Sequence, residues 1–300
     1  MARALEPSPF LRPRPTDPLA GSAFDGALLH TLHLGGQPVS PDLAQDYALI
    51  LHDLTKRFGD FVAVDHIHLA LPRGTFLGFL GPNGAGKSTT INMAIGLLRP
   101  SSGQVWVNGH NTAIHPLASK ASLGVIPEHL ALYDRLTAWE QVEFTGRIFG
   151  VDPTVVTQRA HELVELLELD PRKYVGDLSL GMRKKVALAS ALVHDPPVLM
   201  LDEPFNGIDA VSARNIKEIL RTLTRRGTTI VLTTHVMEQI EQLCDHVAVI
   251  NHGHILASGT MAAFREAMAA RGYDSLEHAF VALLGRDEPG KELSWIKSHA

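Results

Sequence analysis

The sequence predicts an α/β fold in which a mostly parallel sheet is joined to an antiparallel β-subdomain and an inserted helical subdomain. Three observations lead there. The runs Phe76–Leu80, Pro197–Leu201 and Thr228–Thr234 are short and rich in apolar or β-branched residues, as are strands buried on both faces of a parallel sheet. From Tyr47 to Leu71, alternating residues such as Val62, Val64 and Ile67 suggest antiparallel strands. From Pro127 to about Met182 strand patterning gives way to helical periodicity, which marks the inserted subdomain at about residues 127–182.

Taken in order, residues 1–46 hold seven of the eighteen prolines (Pro7, Pro9, Pro13, Pro15, Pro18, Pro38 and Pro41). That density is expected to exclude regular helix and central strand and to leave a mobile N-terminal extension. The folded domain is expected over residues 47–285, with 286–300 as a tail. After the antiparallel pair comes the strand Phe76–Leu80, then a helix over Ser88–Leu98. Val105-Trp106-Val107 followed by Asn108-Gly109 is a strand ending in a tight turn. Asp152-Pro153 starts a helix, with Asp as N-cap and Pro at the first helical position. Ala160, Leu163, Val164 and Leu167 then recur on one face. Leu130, Leu132, Tyr133, Leu136 and Trp139 form an apolar cluster near the hinge to this subdomain, either core or a groove for a partner's helix. A further helix follows over Arg183–His194. The strands Val247–Ile250 and Ile255–Ala257 flank a turn at His252-Gly253-His254.

The chemistry sits at strand ends. Gly81-Pro82-Asn83-Gly84-Ala85-Gly86-Lys87-Ser88 has the form G-x-x-x-x-G-K-[ST] between a strand and a helix, a phosphate-binding P-loop. Its glycines let successive backbone N–H groups point into one concavity, and the helix N-terminus adds a positive dipole end. Lys87 reaches the β- and γ-phosphates of a nucleoside triphosphate, the Ser88 hydroxyl ligates Mg²⁺, and Thr89 continues the loop's edge. The chain is thereby expected to be a P-loop NTPase.

Asp202 and Glu203 follow the Pro197–Leu201 run directly, and His235 follows Thr228–Thr234. Ligands of open α/β sheets gather outside the carboxyl ends of the strands, so these groups are expected beside the P-loop. Asp202 would hold Mg²⁺ through its water shell, and Glu203 would polarise the attacking water.

Composition narrows the partners and the compartment. A formal charge of −5, from 27 basic and 32 acidic side chains, gives no electrostatic footprint for nucleic acid. Arg183, Lys184 and Lys185 form a short basic cluster, expected to be a solvated or phosphate-facing helix face. Cys244 is the only cysteine, so no intrachain disulfide forms and a reducing cytoplasm is the natural compartment. No run of 18 apolar residues occurs, so the chain is not expected to span a membrane. Glu6 and the early prolines stand where a signal peptide would have its apolar core. The sixteen histidines are scattered.

Leu178-Ser179-Leu180-Gly181-Met182 lies between the P-loop and the Asp202-Glu203 strand and opens a helix. It resembles the signature motif of the ATP-binding cassette (ABC) ATPases, whose usual form is L-S-G-G-Q. The order of motifs is similar to that family too: P-loop, signature, Asp-Glu strand, Gly207-Ile208-Asp209 in the place of the D-loop, and His235 in the place of the switch histidine. The resemblance covers about Tyr47 to Gly285. It implies that ATP is the substrate and Mg²⁺ the cofactor, and that Phe58 stacks on adenine. It also implies that Ser179 and Gly181 close on the ATP held by the P-loop of a second cassette, and that the chain forms a dimer, expected to be a homodimer. A separate integral membrane permease would complete the transporter, and the chain would sit in the cytoplasm, peripheral on the inner face of the membrane.

Two positions depart from the family pattern. Glu128, in Pro127-Glu128-His129, stands where the Q-loop glutamine is usual; a carboxylate there can still ligate Mg²⁺ or orient water. Leu180 and Met182 replace Gly and Gln without removing the hydroxyl of Ser179 or the backbone donor of Gly181. The L-S-L-G-M form, the stretch Leu132–Thr137 and the ending Ser275–Phe280 resemble the exporter branch for drugs, lipids, polysaccharides or ions. The alternative of another class is a soluble single-cassette ABC ATPase that remodels a macromolecular complex. Ribosome-acting members usually carry two cassettes and repair members long coiled coils; this chain has one P-loop and no sustained heptads.

Overall fold

The computed structural model describes residues 39–284. Its elements are α1 Pro41–Gln45, β1 Tyr47–Phe58, β2 Phe61–Pro72, β3 Phe76–Leu80, α2 Lys87–Ala94, β4 Ser102–Val107, β5 His110–Asn111, α3 Pro116–Ala121 and β6 Leu123–Ile126. The helices α4 Ala138–Ile148, α5 Pro153–Leu166 and α6 Leu180–Leu192 follow. The chain then runs through β7 Val198–Asp202, α7 Ala210–Arg225, β8 Thr229–Thr234, α8 Met237–Leu243, β9 His246–Asn251, β10 His254–Thr260, α9 Met261–Ala269 and α10 Leu276–Leu283.

Two sheets form. One is antiparallel, in the order β2-β1-β4-β5; the other runs β10-β9-β3-β8-β7-β6. In the second sheet β3 pairs in parallel with β8 and β9, β8 with β7 and β7 with β6, while only the edge strand β10 is antiparallel. The parallel register sets Asp202 beside Thr233 and Leu80 beside Thr234. The P-loop, the two carboxylates and His235 therefore leave the sheet at one edge, as the sequence predicts.

Alternation along the buried strands divides the core. Leu77 and Phe79 of β3, Met200 of β7 and Val231 of β8 join Ile91 and Met93 of α2 and Leu49, Leu51 and Leu71 of the antiparallel sheet. Their neighbours Phe76, Leu80, Leu199, Leu201, Ile230 and Leu232 face the other way, onto α6, α7 and α8. Helix α2 is thus held between the two sheets by apolar burial, the dominant favourable term in folding.

Local chemistry sets the helix starts. Thr137 caps α4 in a reciprocal capping box with Glu140, satisfying two otherwise orphaned N–H groups. Asp152 caps α5 ahead of Pro153, accepting from Thr154 N at 2.8 Å. α4, α5 and α6 pack together through Val142, Val156, Ala160 and Val186, a helical layer inserted between β6 and β7 that extends through α6 past the expected limit near Met182.

Three expectations require correction. Proline density does not exclude a helix from the last part of residues 1–46: Pro41 occupies the first turn of α1 behind the Ser40 cap, where its missing N–H costs nothing. Val39 and Ala44 are buried with Ile50, Ala70 and Trp106, so residues 39–46 pack on the folded domain. The expected mobility of residues 1–38 and the tail at 286–300 lie outside the described residues. The helix after the P-loop stops at Ala94 rather than Leu98, because Leu97 N–H turns back to Asn92 O at 2.9 Å, a Schellman-type ending. Lys184 and Lys185 do not form a solvated face. Both are buried.

Candidate active site

The P-loop leaves β3 and closes on α2 at Gly86. That residue has φ +107°, and a Cβ on it would lie 2.7 Å from the Ala63 carbonyl oxygen, so only glycine lets the loop pass this close to β2. Ala85 N donates to Pro82 O at 3.2 Å, and the buried Lys87 Nζ donates to Gly81 O at 2.7 Å and Pro82 O at 3.1 Å. Gly81, Pro82 and Ala85 therefore frame the loop, while Asn83, Gly84, Gly86, Lys87, Ser88 and Thr89 line a cleft of about 430 Å³.

The same cleft receives Phe58, Glu128, Asp202, Glu203 and His235, brought from the ends of four strands, β1, β6, β7 and β8. Phe58 is 51% exposed, with Lys56 Nζ 5.1 Å from its ring centre. Ser88 Oγ donates to Glu128 Oε2 at 3.4 Å. Asp202 accepts from the Thr233 hydroxyl. Glu203 sits in the left-handed region at φ +48°, a strained conformation for a residue with a side chain. Its N–H donates to Thr233 O and Oγ1, each at 3.2 Å, and its Oε1 lies 2.7 Å from His235 Nδ1.

The electrostatics concentrate opposite charges. Burial pulls the Lys87 and Lys184 ammonium groups below the ordinary lysine value, against the opposing fields of Glu203, Asp202 and Glu128. A site so arranged suits a polyanion carrying a hard cation. Ser88, Glu128 and Asp202 offer oxygen donors at one place, the chemistry Mg²⁺ prefers. Among the described residues no three His, Cys, Asp or Glu side chains converge as a cage, and Mg²⁺ usually keeps waters and substrate phosphates among its ligands.

Ser179, Gly181 and Asp209 lie outside this cleft. Ser179 caps α6, its exposed hydroxyl accepting from Met182 N at 3.4 Å. A Cβ on Gly181 would stand 2.6 Å from the Gly207 carbonyl oxygen, so the signature presses on the loop before α7. Asp209 caps α7 by accepting from Ser212 N at 2.9 Å, and that bonding holds its carboxyl below the ordinary value. Within one chain the signature and the P-loop do not share a pocket.

Phe61 and Asn206 also line the cleft and escaped the sequence reading. Phe61 pairs with Phe58 across the hairpin turn and is 65% exposed; two aromatics flanking Gly59-Asp60 were the available signal. Lys184 was missed as well: its Nζ donates to Glu203 O at 2.5 Å. A larger cavity of about 650 Å³, between α5 and α7, holds none of these groups.

A model of the ABC transporter family matches residues 64–206. The chain is 33% identical over 279 residues to the probable multidrug ABC transporter ATP-binding protein YbhF of Escherichia coli, covering 92% of this chain and 45% of YbhF. The chain thus spans a little under half of that relative's length. It is 34% identical over 245 residues to the ABC transporter ATP-binding protein NatA of Bacillus subtilis, covering 79% of this chain and 98% of NatA. Among solved structures, an ATP-binding subunit of an ABC transporter superposes with a TM-score of 0.74 at 29% identity, over 79% of this chain and 99% of that one.

Proposed function

The chain belongs to the ABC transporter family, and from that premise we propose that it is the ATP-binding and ATP-hydrolysing subunit of an exporter, powering a separate transmembrane protein. The observation that carries the chemistry is the contact between Glu203 and His235 at the mouth of the P-loop cleft. Lys87 and the loop N–H groups bind the β- and γ-phosphates, and Phe58, with Phe61 beside it, stacks on the adenine. Ser88, Asp202 and Glu128 would hold Mg²⁺, which when bound would supply neutralisation of the phosphate charge. Glu203 accepts a proton from water as the water oxygen bonds to the γ-phosphorus. The bond from that phosphorus to the β–γ bridging oxygen breaks, and ADP takes up the charge. His235 orients the Glu203 carboxylate from the neighbouring strand.

Ser179 and Gly181 stand outside their own chain's cleft, which fits the role the family resemblance implies for them, closing from a second copy on the γ-phosphate. Two cassettes then trap two ATP, with Asp209 near the seam, and hydrolysis lets them part. Transport by the YbhF class of protein favours drug-like cargo, although cargo choice belongs to the membrane subunit. A groove of about 250 Å³ between β6, α4 and α6, lined by Leu130, Leu132 and Gln141, suits a helix of that subunit. No helix among the described residues is long and apolar enough to cross a membrane. The chain is assigned to the cytoplasmic face through its partner.

Affinity purification of the tagged chain from detergent-solubilised membranes tests this reading. An integral membrane protein should co-purify in stoichiometric amount and stimulate Mg²⁺-dependent phosphate release. A soluble complex co-purifying in its place would favour the remodelling alternative.

A further inference from the structure

Glu203 is fixed at three points, and the third comes from an unexpected element. Thr233 holds its N–H and His235 its carboxylate, both from the region of β8. Its carbonyl oxygen accepts from Lys184 Nζ at 2.5 Å, and Lys184 belongs to α6, the helix that the signature opens. Lys184 is only 5% exposed. A buried ammonium is costly unless it is paired and hydrogen-bonded, and here the fields of Glu203, Asp202 and Glu128 oppose the effect of burial. The left-handed backbone of Glu203 also persists only if its surroundings over-determine it.

We propose that Lys184 is a positioning residue for Glu203: it pins the carbonyl of the strained strand-end residue and thereby ties the signature helix to the hydrolytic carboxylate of the same chain. The proposal rests on the reading of Glu203 as the proton acceptor. Lys184 does not line the nucleotide cleft, so it acts on turnover and not on nucleotide affinity. Movement of α6 is then felt directly at Glu203, through one ammonium-to-carbonyl bond.

The test is steady-state ATPase kinetics on the full chain, with fluorescent ATP-analogue binding and thermal melting measured on each variant. Lys184→Met should lower kcat by about ten-fold or more, the scale of one lost charge-assisted hydrogen bond, with KM and analogue affinity within about two-fold. Lys184→Gln keeps an N–H donor on a shorter side chain and should fall between wild type and Lys184→Met in kcat. It is the variant that decides if Lys184→Met does not fold. Unchanged kcat in a folded variant overturns the proposal. So does a loss of affinity that matches the loss of turnover, since that marks a general disturbance of the fold. Glu203→Gln is assayed in parallel. If it turns over normally the reading of Glu203 fails, whereas an inactive Glu203→Gln beside a fully active Lys184→Met removes the role of Lys184 alone.

Discussion

His235 Nδ1 lies 2.7 Å from Glu203 Oε1, joining the ends of two adjacent parallel strands across the nucleotide cleft. The Glu203 side chain is 11% exposed and the imidazole 49% exposed, so the buried carboxylate is oriented by a partner that the cleft can still reach. Loss of the ring leaves the carboxylate free to turn. His235→Ala should lower turnover by about 10²-fold, the scale of a misplaced catalytic group, while nucleotide affinity stays within about two-fold. Phosphate release and fluorescent-nucleotide titration check both halves.

Lys87 is the cation placed by the P-loop itself, buried and bonded to the Gly81 and Pro82 carbonyls. Lys87→Ala removes the charge expected to meet the β- and γ-phosphates. Equilibrium binding of an ATP analogue should disappear while the melting temperature of the nucleotide-free chain changes little. Unchanged affinity would remove the P-loop from the account.

Ser179 is exposed and stands away from its own chain's cleft. Ser179→Arg should leave binding to a single chain intact and abolish hydrolysis, because the guanidinium would intrude where a second cassette closes. The lost helix cap costs only about 1 kcal/mol, so the fold should survive. Hydrolysis at a normal rate, independent of protein concentration, would contradict the two-cassette mechanism.

Much of this site was legible in the sequence because it is written at strand ends. A buried strand followed by Gly81–Ser88, by Asp202-Glu203 or by His235 leaves little freedom, since the parallel register puts Asp202 beside Thr233 and Leu80 beside Thr234. Residues acting through tertiary packing were not legible. By sequence Lys184 belongs to a solvated or phosphate-facing basic run, and nothing local reveals that α6 buries it against a carbonyl 19 positions later. Phe61 reaches the cleft only because the turn after Phe58 folds it back. Pro41 was read as a breaker, although one position after a serine cap it starts a helix.

His194 gives a stability test at mildly acid pH. Its ring stacks on Phe149 with centroids 3.7 Å apart, and Nε2 lies 3.0 Å from the Leu123 carbonyl oxygen. Burial holds its pKa below the ordinary histidine value, which is about 6.5 in an unfolded chain. The unfolded state therefore takes up the proton first as pH falls. The neutral ring's contribution is present above about pH 6.5 and is lost as pH drops from there through the folded-state value. The melting temperature of the wild type should fall more between pH 7.5 and 5.5 than that of His194→Gln. Equal or smaller losses in the wild type would contradict the burial argument.

In the proposed cycle ATP joins two chains and Glu203 parts them by hydrolysis. Glu203→Gln keeps the side chain's shape and a hydrogen-bonding oxygen but removes the proton acceptor, a deficit on the order of 10²–10⁴-fold for a general base. Glu128, whose Oε2 lies 3.4 Å from Ser88 Oγ, is a second carboxylate that could accept the proton, so the Glu203→Gln/Glu128→Gln pair belongs in the same experiment. The direct measurement is size-exclusion chromatography with light scattering, with and without ATP–Mg²⁺, on the wild type and both variants, with phosphate release recorded on each. A stable dimer that forms only with ATP in Glu203→Gln, with phosphate release abolished, is the predicted result. Monomers at saturating ATP, or near-normal hydrolysis in the double variant, would contradict it.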